Sequence, residues 1–132
     1  KGEAFFGGVF GGSDYFVDKD GNKRAVAHQD VNIFDLIKMG ECYGKRGQDI
    51  LHEVTEAYKG GLLAIKNERS VGNSNQDRHI YNEAHSTVIP QTGPVYMVTL
   101  RHLISKEQIG IRWELRNESG EVLHYREWFL NK

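Results

Sequence analysis

From Asp49 to Arg69 the apolar residues recur at the spacing of an α-helix. Ile50, Val54, Ala57, Gly61, Ala64 and Ile65 fall on one arc, which Leu51, Tyr58 and Leu62 extend. A helix of about twenty residues runs roughly 30 Å, the width of a small domain. In a chain of 132 residues, which suits one domain with one core, the remaining elements must pack along it. Gly60-Gly61 interrupts its middle. Each Gly costs about 1 kcal/mol against Ala, so the pair either kinks the helix or lets another element approach closely.

Before this helix, Tyr15-Phe16-Val17 and Arg24 to His28 flank Asp18-Lys19-Asp20-Gly21-Asn22-Lys23, which reads as a hairpin. Asp18, Asp20 and Asn22 have the spacing of a calcium loop. The Gly and Glu that such a loop needs at its sixth and twelfth positions are here Lys23 and Gln29, so a plain turn is expected. Gly2 to Gly12 interleaves glycines with Phe5, Phe6, Val9 and Phe10, as either a strand with close backbone approach or a loose arm. Val31 to Met39 is ambiguous between helix and strand. After a polar loop from Val71 to Gln76, Asp77 is a candidate cap for a short helix from about Arg78 to Ser86. Beyond Gly93-Pro94 the pattern has period two. Tyr96, Val98, Leu100 and Ile104 alternate with polar positions, as do Ile109, Ile111, Trp113 and Leu115. With a return from Val122 to Leu130, this reads as a three-stranded antiparallel meander over about 95–130. The expected class is α+β, in one domain over 1–132: a long central helix and a short helix packed with an N-terminal hairpin and the C-terminal meander.

Composition narrows the function classes. Net charge is −1, with 17 Lys+Arg against 18 Asp+Glu and no basic stripe, which argues against a nucleic-acid partner. No apolar run approaches the about 18 residues of a membrane span. The single Cys42 excludes an internal disulfide framework, and nothing near it marks an activated thiol. The chain starts at Lys1 rather than Met, which reads as a processed chain or an excised domain, secreted or delivered as part of a larger protein.

The long helix carries His52-Glu53-Val54-Thr55-Glu56. His52 and Glu56 are four apart, on one face, close enough to hold one ion. In the zinc-protease pattern His-Glu-x-x-His, two helix residues bind zinc and the intervening Glu activates water. Here Glu stands where the second His would be, and a carboxylate is an acceptable zinc ligand. The pair projects almost opposite the apolar arc, which also fits an exposed ion pair on a solvated face. Leu63 lies on the same side as the pair and suggests that something covers it. Candidates for a third ligand are His79, Glu83 and His85 in the short helix. His28, His102 and His124 fall in expected strands as ordinary polar positions. Phe5, Phe6, Tyr125, Trp128 and Phe129 read as core or interface residues.

Ile50 to Leu62, with Asn73-Ser74-Asn75, Tyr81-Asn82-Glu83-Ala84-His85 and Pro90 to Tyr96, resembles the metallopeptidase modules found at the C-termini of Rhs-type and related polymorphic proteins, some of them toxins. The resemblance is loose over Gly2 to Tyr96, specific over about 47–96, and absent from the meander. It implies a zincin-like arrangement and Zn2+ held by His52, Glu56 and His85. His85 is favoured over His79 by its place in Tyr81-x-x-x-His85. It further implies Glu53 as the general base, a protein or peptide substrate, and, for a toxin, a cognate immunity protein. The expected function is therefore metal-dependent hydrolysis of peptidase type, with Tyr81 or His79 assisting the oxyanion. The alternatives are a non-catalytic protein-binding or structural module, and a degenerate metallopeptidase fold retained for binding.

Overall fold

The computed structural model describes residues 4–73 and 76–130, with Ala84 as backbone only. Gly2 of the glycine–phenylalanine stretch, and Ser74 and Asn75 of the polar loop, lie outside the described residues. The fold is mixed α+β. In chain order the elements are β1 (Gly8–Val17), β2 (Lys23–Val31), α1 (Ile33–Tyr43), α2 (Gln48–Asn67), α3 (Arg78–Ser86), β3 (Val95–Arg101), β4 (Gln108–Arg116) and β5 (Val122–Phe129). β1 and β2 form an antiparallel hairpin, and β3-β4-β5 form an antiparallel three-stranded sheet. No helix among the described residues is long and apolar enough to cross a membrane.

The hairpin turn is held by Asp18. Its Oδ1 accepts the Asp20 and Asn22 N–H groups at 3.0 and 2.9 Å, its Oδ2 accepts Arg24 Nε at 2.9 Å, and Gly21 takes φ 84°. The glycine-rich strand is a close-approach strand. Ser13 exchanges backbone hydrogen bonds with Val71, and a Cβ on Gly12 would overlap the Val71 carbonyl. The ambiguous stretch after β2 resolves as helix α1. Asn32 Oδ1 accepts the Asp35 N–H at 3.1 Å to cap it, and Gly44, at φ 83°, ends it by donating to the Gly40 carbonyl. Asp77 stands at the start of α3, but its carboxylate does not cap the helix. Its backbone carbonyl accepts the Tyr81 N–H, while its carboxylate turns back to the Gly72 N–H and Arg69. In the meander, the alternation continues only to Arg101. His102 and Ile104, expected in a strand, sit in the β3–β4 turn, where His102 Nδ1 accepts the Ile104 and Ser105 N–H groups at 3.2 Å each. Local hydrogen bonding there competes with the sheet ladder.

Two apolar clusters flank α2. Phe10, Leu63, Ala64, Val71 and Ile80 join β1, α2 and α3; Leu36, Met39 and Leu115 join α1 to the meander, with Phe6, Tyr43, Ile50 and Val95 around them. Trp113 and Leu115 are the buried apolar side chains of β4. Glu114 on its other face is buried too, because Arg112 and Arg116 pair with it at 3.6 and 2.7 Å.

The two glycines of α2 do different things. A Cβ at Gly60 would overlap the Phe10 ring, which is buried against the helix. A Cβ at Gly61 would sit 3.9 Å from the Cβ atoms of Ala25 and Ala27, an ordinary contact. Gly60→Ala should therefore lose about 1–2 kcal/mol, an overpacking penalty partly offset by helix propensity. Gly61→Ala should gain up to about 1 kcal/mol. Urea melts of the two variants check this, and shifts of the same sign would contradict it.

Candidate metal centre

α2 is turned the opposite way from its apolar periodicity. Val54 and Tyr58 are 59% and 64% exposed, with Leu51 and Leu62 also facing out, whereas His52 and Glu56 are each 3% exposed and Glu53 is 4%. The solvated-face account of His52 and Glu56 is thereby overturned. What covers them is what Leu63 suggested: Leu63 is buried with Phe10, Val71 and Ile80, beneath β1 and α3.

Buried ionisable groups need partners, and each of these has them. His52 Nδ1 lies 2.5 Å from the carbonyl oxygen of Ile89. A carbonyl only accepts, so Nδ1 carries a proton, and in the neutral ring Nε2 is then the nitrogen with the lone pair, the arrangement typical of a metal-binding imidazole. α3 brings His85 opposite, with ring centroids 5.0 Å apart at an interplanar angle of 81°. His85 Nε2 is 3.8 Å from Glu56 Oε2, and one ligand atom from each of His52, Glu56 and His85 lies within 4.8 Å of the other two. Ligands of a tetrahedral zinc site stand about 3.4 Å apart, from bond lengths of about 2.1 Å. Glu56 Oε2 is buried without a hydrogen bond of ordinary geometry, and the Tyr81 hydroxyl interacts with the same carboxylate. A carboxylate oxygen left so is the atom a cation would satisfy, and the residues fit a divalent ion. His85, 43% exposed at its side chain, leaves the group accessible from one side.

Glu53 lies against the hairpin. Its Oε1 accepts Gln29 Nε2 at 2.5 Å, and the same amide reaches Glu56 Oε1 at 2.9 Å, so Gln29 ties the two carboxylates together. A Cβ on Gly8 would overlap the Glu53 carboxylate, so any larger residue there must displace that group. Burial pushes the Glu53 carboxyl above its ordinary value. The Gln29 hydrogen bond opposes that shift, and the Glu56 charge adds to it. Tyr81 stacks on His85 at 5.4 Å, and burial, with the Glu56 and Glu53 charges, pushes its phenol up to about 12.

No protein-family model, curated protein or solved structure matches this chain.

The other candidate residues stand apart from the group. His79 and Glu83 are exposed, and Glu83 faces Lys66 at 3.9 Å. His28 pairs with Asp14 at 2.9 Å, and His124 packs edge-on to Phe34. Burial raises the Cys42 thiol, the opposite of activation. Sequence reasoning missed Gln29, Asp49 and the Ile89 carbonyl. Gln29 is one more polar residue in an alternating strand, and a backbone carbonyl carries no signal in the sequence.

Proposed function

We propose that this chain is a metal-dependent hydrolase domain of peptidase type, with His52, Glu56 and His85 as ligands of a zinc ion and Glu53 as general base. The observation that carries this reading is the buried Glu56 carboxylate set between two imidazoles, one of which is held through Nδ1 by a carbonyl, leaving Nε2 as its ligand atom. Two imidazoles and a carboxylate suit zinc, and three protein ligands are the number that leaves a position for substrate. The resemblance of the His52–Glu56 run to metallopeptidase modules supports the same assignment and the zincin-like comparison.

A zinc ion there supplies Lewis acidity, making water a stronger acid and polarising a carbonyl. The chain's own residues supply the rest. Glu53 takes a proton at its carboxylate, and its raised pKa places it closer to neutrality than an ordinary Glu, as a general base requires. Tyr81, protonated at any physiological pH, hydrogen-bonds through its hydroxyl to the Glu56 carboxylate beside His85, and on this reading turns that O–H to a developing oxyanion once a cation takes over the carboxylate. His79, exposed on α3, is not the donor. The substrate on this reading is a protein or peptide, and a module acting as a toxin would have an immunity protein as its partner.

A second reading, a protein-binding module without catalysis, is favoured by the apolar strip of Val54, Tyr58 and Leu62 that α2 turns outward. The two are separated by incubating zinc-loaded protein with a mixed peptide library. Cleavage abolished by a chelator and restored by zinc supports the hydrolase. Bound zinc with no cleavage of any peptide supports the binding module.

A further inference from the structure

His85 reaches the site from α3, and the chain leaving α3 runs back along the start of α2. Three side chains from the first turns of α2 fasten it there. Gln48 Nε2 donates to the Pro90 carbonyl at 2.9 Å, and His52 Nδ1 donates to the Ile89 carbonyl at 2.5 Å. Between these, Asp49 takes the Thr92 backbone N–H on Oδ1 at 3.0 Å and the Thr92 hydroxyl on Oδ2 at 2.7 Å. Asp49 is 1% exposed and sits in the first turn of α2, where the helix N-terminus favours a negative charge. Thr92 is three residues from the carbonyl that orients His52 and seven from His85.

We propose that Asp49 and Thr92 form a latch that positions the metal site: the charge-assisted pair fixes the 89–92 segment, which holds the His52 ring in its ligand tautomer and sets where α3 delivers His85. Neither residue touches the ligand group, so both are positioning residues. The inference rests on the zinc reading above. Outer partners that orient a ligating histidine are worth about 10–100-fold in metal affinity, and the latch acts on two of the three ligands.

The test is zinc affinity by competition with a chromophoric chelator, alongside melting of the metal-free protein, for wild type, Thr92→Val, Thr92→Ser and Asp49→Asn. Thr92→Val keeps the backbone hydrogen bond and the side-chain shape but removes the hydroxyl. The expected result is zinc binding weakened about 10–100-fold in Thr92→Val and Asp49→Asn, near wild-type affinity in Thr92→Ser, and melting of metal-free Thr92→Val close to that of wild type. Thr92→Val binding zinc as wild type does would overturn the latch and leave the metal site standing. So would a loss that Thr92→Ser fails to restore, or one that appears only where metal-free Thr92→Val has itself begun to melt. Wild type that takes up no zinc would remove the metal reading, and the latch with it.

Discussion

Glu53→Gln should keep its zinc and lose about 10²–10⁴-fold in peptide hydrolysis, the range for removing a positioned general base. The amide preserves the shape of a group packed between Gly8 and Gln29, and Glu53 is not among the three ligands. The metal should therefore stay while the proton acceptor goes. The same variant has a second signature in the metal-free protein. Glu53 has a folded pKa above its ordinary 4.5, set first by burial. Its contribution to stability is fully present below that ordinary value and is lost as pH rises through the folded pKa. Gln has no proton to lose. As pH rises above the ordinary 4.5, the metal-free variant should gain stability relative to wild type until the folded Glu53 has ionised. A Glu53→Gln protein that hydrolyses peptides at the wild-type rate would remove Glu53 from the mechanism. One with no pH-dependent difference in melting would show that its carboxyl is not perturbed.

Arg126→Met should cost about 3–5 kcal/mol, the usual penalty for leaving a buried charge alone. Arg126 grips Asp35 with Nε and Nη2 at 2.8 and 2.7 Å, and Nη2 also reaches the Phe5 carbonyl. Its guanidinium lies over the Trp113 ring, 4.8 Å from the centroid. Asp35 is fully buried, and without Arg126 it keeps the Gly7 N–H at 3.1 Å. At roughly 4 °C per kcal/mol for a domain of this size, melting should fall by about 12–20 °C. The double variant Arg126→Met/Asp35→Leu should recover much of that loss, because replacing a whole buried ion pair by apolar groups is often neutral. A single variant melting within a few degrees of wild type would mean that this pair does not join the meander to α1.

The elements were legible where local chemistry and periodicity agree. The hairpin turn carries Asp18 and Gly21, α3 follows Asp77, and the β4 alternation places Trp113 and Leu115 inside. The helix of the candidate site was legible in its extent and in its residues, but its facing was inverted. Apolar periodicity turns Val54, Tyr58 and Leu62 inward, yet the structure buries Asp49, His52, Glu53 and Glu56. A hydrophobic pattern scores each side chain by its transfer from water and cannot see partners distant in the chain. Thr92, the Ile89 carbonyl and Gln29 make these burials tolerable, and they lie 24 to 43 residues from the groups they satisfy. Functional sites are where local rules are expected to break. Leu63, an apolar residue on the polar side, was the one local sign of it. α1 was ambiguous for a related reason: its short apolar run has either period, and Asn32 and Gly44 decide it from outside.

The most direct test of the central claim is metal content. Wild type and His52→Ala are purified without chelators or a metal-affinity tag, incubated with zinc, desalted and measured by plasma mass spectrometry. The account predicts about one zinc per chain in wild type and a trace in His52→Ala. No zinc in wild type, or equal zinc in both proteins, would contradict it.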